Sequence, residues 1–181
     1  MGATTPSHIA TRPAQPDDAG LLAELAASTF RETFEAANTP EDFAAYMAVA
    51  FGEAIQRAEL EDPGITVFLA ERADEAVGYV MLRERNAPSS VGLEDTLEIA
   101  RLYARTRALG SGVGAALMQR ALAEAAGRGK EAVWLAVWER NPRAIRFYES
   151  WGFHRCGMQS FVLGADVQTD LVMVRRLARE S

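Results

Sequence analysis

One cysteine and two histidines in 181 residues rule out several chemistries at once. With Cys156 alone, no disulfide can close within the chain, and zinc ribbons and thioredoxin-like pairs lack their second cysteine. A reducing cytoplasm is the expected location, and no metal is expected. His154 stands near Cys156, but no His-and-acid pattern accompanies the pair, so Cys156 reads as structural rather than as a nucleophile. His8 carries no function. Long apolar runs are also missing: none reaches the roughly 18 residues of a membrane span. Met1 to Ser7 lacks the apolar core of a secretory leader, so neither export nor a membrane partner is expected. Basic charge is scarce. Nineteen Lys and Arg stand against twenty-five Asp and Glu, a net −6 that repels nucleic acid and makes a cationic small molecule the easier partner, unless it serves solubility alone.

What is present is ordinary globular material: 49% apolar and 24% charged residues, which supports one packed domain over residues 1–181. Ile9 to Arg12 reads as a first strand. Pro16-Asp17-Asp18 then signals a helix running to about Phe34. Thr39-Pro40-Glu41-Asp42 starts a second helix, with Thr39 as cap and Asp42 at the capping-box position, and Glu53 to Leu60 forms a third. Residues 65–70 and 77–82 read as a hairpin and Leu97 to Ala104 as the next strand. A glycine-rich turn leads to a helix from Val113 to about Ala126, followed by strand Val133 to Trp138 and helix Pro142 to Ser150 behind the cap Asn141. Two short strands, Phe161 to Leu163 and Thr169 to Arg175, close the chain. This order predicts an α/β domain whose sheet is only partly parallel.

The turn Gly110-Ser111-Gly112-Val113-Gly114-Ala115 carries the most chemistry. A strand passing through glycines into a helix aims unpaired N–H groups and the positive helix end at one spot, which suits a diphosphate. Arg105 and Arg107 are expected to add charge at its edge. A Walker loop is excluded because Ala115-Ala116, not Lys and Ser or Thr, follow Gly114. The Rossmann letters are satisfied, but the turn lies past the middle of the chain, behind a hairpin rather than a first strand. A purely structural turn stays open at this point.

From Trp134 to Phe153 the chain resembles the GNAT superfamily of N-acetyltransferases: a strand, Asn141, Ala144, Phe147-Tyr148, then Gly152-Phe153, at the right distance behind the glycine turn. Thr29 to Phe34, Asn38 to Asp42, Ser160-Phe161 and Gln168 to Leu171 are similar to its PaiA-type polyamine branch. The resemblance implies a central, mostly antiparallel sheet splayed between its fourth and fifth strands, with helices on both faces. It implies acetyl-CoA as cosubstrate, a small-molecule amine as partner, and admits a homodimer. Leu102, Tyr103 and Ala104 would offer backbone to the pantetheine, Gly110 to Ala115 would hold the diphosphate, and Asn141 would bond the pantetheine arm as well as capping its helix. The family's opening Gln or Arg falls on Leu109 in the register that fits strand and helix. An alternative register starts at Arg107.

For direct attack of an amine on a thioester, the resemblance implies Tyr148 as the acid for the thiolate and Glu98 as the base, with backbone N–H near Leu102 or Tyr103 polarising the carbonyl. Phe30, Phe34 and Tyr46 would form the acceptor wall, though the same aromatics suit a plain core. The acceptor is expected to be a polyamine. A peptide α-amine, lysine or another small amine, or a catalytically silent acetyl-CoA-binding module, are the alternatives.

Overall fold

The computed structural model describes residues 8–178, and the opening segment Met1 to Ser7 lies outside them. The elements follow in the order β1 (Ile9–Pro13), α1 (Ala19–Phe34), α2 (Pro40–Ala50), α3 (Glu53–Glu61), β2 (Ile65–Arg72), β3 (Glu75–Arg83), β4 (Thr96–Ala104), α4 (Val113–Gly127), β5 (Ala132–Trp138), α5 (Pro142–Ser150), β6 (His154–Leu163) and β7 (Asp166–Arg176). The strands form one sheet, β1-β2-β3-β4-β5-β7-β6. Every neighbouring pair is antiparallel except β4 and β5. The expected mixed sheet is what the chain builds.

Period-two alternation sorts the core into two layers. Leu97 and Ile99 of β4 and Val133 and Leu135 of β5 pack with Leu117 and Met118 of α4 on one face. Val67, Leu69, Tyr79 and Met81 pack with Leu22 and Leu25 of α1 on the other. α5 contributes Ile145 and Tyr148 to the α4 layer. Helices thus cover both faces, as the resemblance implied.

Two local expectations need correction. β6 begins at His154, not Phe161, because its first half is an edge strand carrying His154, Arg155, Gly157 and Gln159, which show little of the apolar alternation that marks a strand. Asp42 sits at the capping-box position, yet its carboxylate does not close the box. It accepts from the Thr39 hydroxyl at 2.9 Å and from the Ala165 N–H at 2.6 Å, in the turn between β6 and β7. Thr39 caps α2 as expected, its Oγ1 accepting the Asp42 N–H at 3.3 Å. The start of α2 is thereby tied to the far hairpin, a long-range contact that local sequence rules do not contain.

Candidate active site

The parallel pair β4–β5 is short. Thr96 to Ile99 pair with Ala132 to Leu135, and past that point Ala100 to Ala104 and Ala136 to Trp138 run unpaired with each other. A β-bulge accompanies the divergence: Met81 faces Arg101 and Leu82 faces Ile99, so Ala100 has no partner on β3. Arg105 donates its N–H to Val77 O at 2.8 Å. Antiparallel alternation places Tyr103 in the same bonded set toward β3, so the N–H groups of Leu102 and Ala104 face the gap. Of the two residues expected to polarise a carbonyl, Leu102 is the one with a free donor direction. A cavity of about 740 Å³ runs through this gap.

One mouth of the cavity is the glycine turn. Leu109, Gly110, Gly112, Gly114 and Ala115 line it. Gly110 and Gly112 hold φ of 76° and 92°, a left-handed backbone that a side chain would strain, and Gly112 is the residue from which α4 starts. Among the described residues, the N–H groups of Gly110, Gly112, Val113, Gly114 and Ala115 find no backbone acceptor, and the first intrahelical bond comes from Ala116 to Gly112 O at 2.9 Å. Ser111 and Leu109 differ: their N–H groups are used within the turn, donating to Ala108 O and Thr106 O at 3.3 and 3.1 Å. The Ser111 hydroxyl also donates to Ala108 O, at 2.7 Å, and the Val113 side chain is buried in the core. Gly114 has a packing reason besides, since a Cβ there would stand 3.4 Å from the Phe147 ring.

The arginines expected at this edge point elsewhere. Arg105 bonds Ser28 Oγ at 3.1 Å on α1 and lies 3.5 Å from Glu24, while Arg107 pairs with Glu75. Arg143, in the first turn of α5, lines the cavity, as neither Arg105 nor Arg107 does. Helix α5 brings two expected residues to the same cavity. Asn141 Oδ1 accepts the Ala144 N–H at 3.1 Å, so it caps α5, and its Nδ2 has no partner among the described residues. Tyr148 is 8% exposed and lines the cavity, packed edge-on against Phe147 and Phe153 with centroids 5.5 and 6.0 Å away. Burial pushes its hydroxyl up to about 12, so the group is protonated at neutral pH and available as a donor.

The other mouth opens on the α1–α2 face. Phe30, Phe34 and Tyr46 all line it, and all three are also core: Phe30 lies 4.5 Å from Phe34 and 4.9 Å from Tyr46, centroid to centroid. Cavity lining and core are the same residues here. Glu98 reaches this side from β4, gripped by Arg85, whose Nε stands 2.8 Å from Oε2 and whose Nη2 donates to Oε1 at 2.9 Å. That guanidinium lies 5.0 Å over the Trp134 ring. Burial pushes the Glu98 carboxyl up, against the downward pull of Arg85, Arg83 and Arg101.

A family model described as the acetyltransferase (GNAT) family matches residues 22–153. The chain belongs to the acetyltransferase (GNAT) family. With it the chain is an acetyl-CoA-dependent N-acetyltransferase. An uncharacterized N-acetyltransferase of Mycobacterium tuberculosis is 38% identical over 160 residues, covering 88% of this chain and 98% of the relative. Another from Lactobacillus delbrueckii subsp. lactis is 34% identical over 155 residues, 84% of this chain and 88% of its own. Among solved structures, the PaiA N-acetyltransferase of Thermoplasma acidophilum in complex with coenzyme A superposes with a TM-score of 0.75 at 17% identity, over 94% of this chain and 99% of that one. YncA, a putative acetyltransferase of Salmonella typhimurium with acetyl-CoA, gives 0.74 at 19% identity, over 97% of each chain. These last two show the fold.

For this acetyltransferase, sequence reasoning missed Arg85, Arg143 and Asp170. Asp170 lines the cavity from β7, 9% exposed, in register with Trp138 on β5 and Gln159 on β6. A faint signal existed: an aspartate, a residue strands avoid, directly ahead of the apolar run Leu171 to Val174.

Proposed function

We propose that this acetyltransferase passes the acetyl group of acetyl-CoA directly to a primary amine, the two substrates meeting in the β4–β5 gap from opposite faces of the sheet. The observation that supports this most is the cavity itself. It joins the open donors of the glycine turn and Tyr148, on the α4–α5 face, to the aromatic chamber and two carboxylates on the α1–α2 face. The residues fit the cosubstrate: five N–H groups without acceptors suit its diphosphate, and two unpaired strand edges suit its amide-bearing arm.

When bound, acetyl-CoA supplies an activated acyl thioester. The N–H groups of Gly110, Gly112, Val113, Gly114 and Ala115 hold its diphosphate. Those of Leu102 and Ala104, with Asn141, hold the arm, and the donor of Leu102 polarises the carbonyl. The new C–N bond forms as the C–S bond breaks. Glu98, oriented by Arg85, takes the amine's proton through a water, and Tyr148 gives its own to the departing sulfur. We place the reaction in the cytoplasm, on the ground of the lone Cys156.

A polyamine acceptor is a second reading. The similarity of Asn38 to Asp42 and Gln168 to Leu171 to the PaiA-type branch supports it, as do two carboxylates in the chamber. Arg83, Arg85 and Arg101 in the same lining weigh toward acceptors with less charge. A thiol-release assay with phenethylamine, spermidine, lysine and a short peptide separates these readings. Release with at least one amine is expected. Saturable acetyl-CoA binding without release from any of them would instead mark a silent regulatory module.

A further inference from the structure

Two carboxylates are buried among the described residues, Glu98 and Asp170. Their register partners on β5 are Trp134 and Trp138, on the same side of that strand, so both carboxylates stand on the α1–α2 face and flank the gap. Their surroundings differ. Glu98 has an ion pair and one hydrogen bond from Arg85, whereas Asp170 has no hydrogen bond or ion pair to its carboxylate among the described residues. The groups that could have served it are turned away or neutral. Gln168 donates to Asn38 at 2.6 Å and to Asp166 at 2.9 Å, Arg101 is paired with Glu59 at 3.0 Å, and the strand neighbours Gln159 and Trp138 carry no charge. The Tyr46 hydroxyl, itself pushed up by burial, feels the charge of Asp170.

A buried carboxylate without a cation is costly to keep, and proteins leave one so chiefly where a ligand completes it. Aromatic rings supply the rest of the receptor. Tyr46 meets Phe161 edge-on at 5.6 Å, and Phe34 meets Trp138 at 5.9 Å, giving faces that favour both an apolar body and a cation.

We propose that Asp170 is the acceptor anchor of this enzyme, its carboxylate binding the ammonium of a primary amine that carries one positive charge on an apolar body. The anchor deepens the acetyl-transfer reading, which it needs for the fate of the amine but not for its binding. Burial alone pushes Asp170 up to about 6, so near neutrality it is ionised and its charge is unmet until a cation arrives. Arg83, Arg85 and Arg101, which line the same cavity, oppose a second or third ammonium in the chamber. Asp170 selects and places the ammonium; Glu98 takes one proton through water to free the neutral amine for attack, and the proton lost as the C–N bond forms replaces the one Tyr148 gives to the sulfur.

The test uses the full chain loaded with coenzyme A, titrated at pH 7.5 with phenethylamine and with its neutral counterpart phenethyl alcohol, followed by tryptophan fluorescence. The wild type is expected to bind the amine at least about tenfold more tightly than the alcohol, as a charge-assisted bond implies. Asp170→Asn is expected to bind both alike, and Asp170→Glu to keep the preference in part. Asp170→Ser replaces the Asn variant should that one fail to fold. Equal affinities in the wild type, or a preference that survives in the Asn or Ser variant, overturn the anchor. Because binding needs no turnover, a normal preference with no thiol release would fault the acetyl-transfer reading and leave the anchor standing.

Discussion

The two ends of the cavity are made of different material. The end proposed for acetyl-CoA is mostly backbone: a turn and a helix start within Leu109 to Ala115 and the edges of β4 and β5, with Asn141, Arg143 and Tyr148 added at and behind the start of α5. The end proposed for the acceptor is side chains, gathered from α1, α2, β3, β4, β6 and β7. Backbone sites tolerate changes of side chain and depend on conformation. Side-chain sites can change ligand by a single replacement, so one end suits a constant cosubstrate and the other a variable acceptor.

That contrast can be broken by substitutions at each end, ordered by expected effect. Tyr148→Phe should lower kcat by about 10² or more, the usual range for a lost general acid, with both KM values nearly unchanged. Full turnover in that variant removes the assigned acid. Glu98→Gln should lower kcat by at least about tenfold and flatten the rise of rate with pH, since a base works only once deprotonated. An unchanged rise clears Glu98 of the role.

Asp170→Asn should raise the amine KM about tenfold and leave that of acetyl-CoA alone. In the wild type, amine KM should climb as pH falls through about 6, where Asp170 takes up its proton. The stability sign is opposite to that of a salt bridge. A carboxyl raised from 3.8 to about 6 on folding destabilises the fold above that range, and the penalty fades as pH drops below it. The Asn variant should therefore melt higher than wild type at pH 8 and alike near pH 4. A lower melting point at pH 8 contradicts an unpaired charge.

Gly114→Val should crowd the Phe147 ring and weaken acetyl-CoA severalfold, read by calorimetry, with amine binding intact. The smallest change expected is a gain: Leu109→Gln restores the polar residue that the family pattern carries there, and should tighten acetyl-CoA by about two- to fivefold. A loss of affinity would show that Leu109, 39% exposed beside the cavity, packs on the cosubstrate instead.

The legibility of the sequence follows the same division. The glycine turn Gly110 to Ala115 and the cap Asn141 could be read because their conformations depend on neighbours within a few residues, a glycine that allows left-handed φ and a cap three residues before its N–H, whereas the role proposed for Tyr148 came from the family resemblance. The core strands followed from apolar alternation, while the polar edge strand β6 did not. Arg105 and Arg107 were expected at the diphosphate for their nearness in sequence, but partners on α1 and β3 turned them away. Asp170 was invisible as a site because its meaning lies in what it lacks. Only the assembled sheet shows that Gln168 and Arg101 are engaged elsewhere and that aromatic residues of α1 and α2 line the same cavity.

The central claim is that unpaired main-chain donors at the start of α4 hold the diphosphate of the cosubstrate. Calorimetric titration of the full chain with coenzyme A and with 4′-phosphopantetheine, which lacks the diphosphate, tests it most directly. Saturable micromolar binding of coenzyme A is expected, with the truncated ligand weaker by about a hundredfold, the share of two or more charge-assisted bonds. Equal affinities for the two, or no saturable binding of coenzyme A up to millimolar concentration, would contradict it.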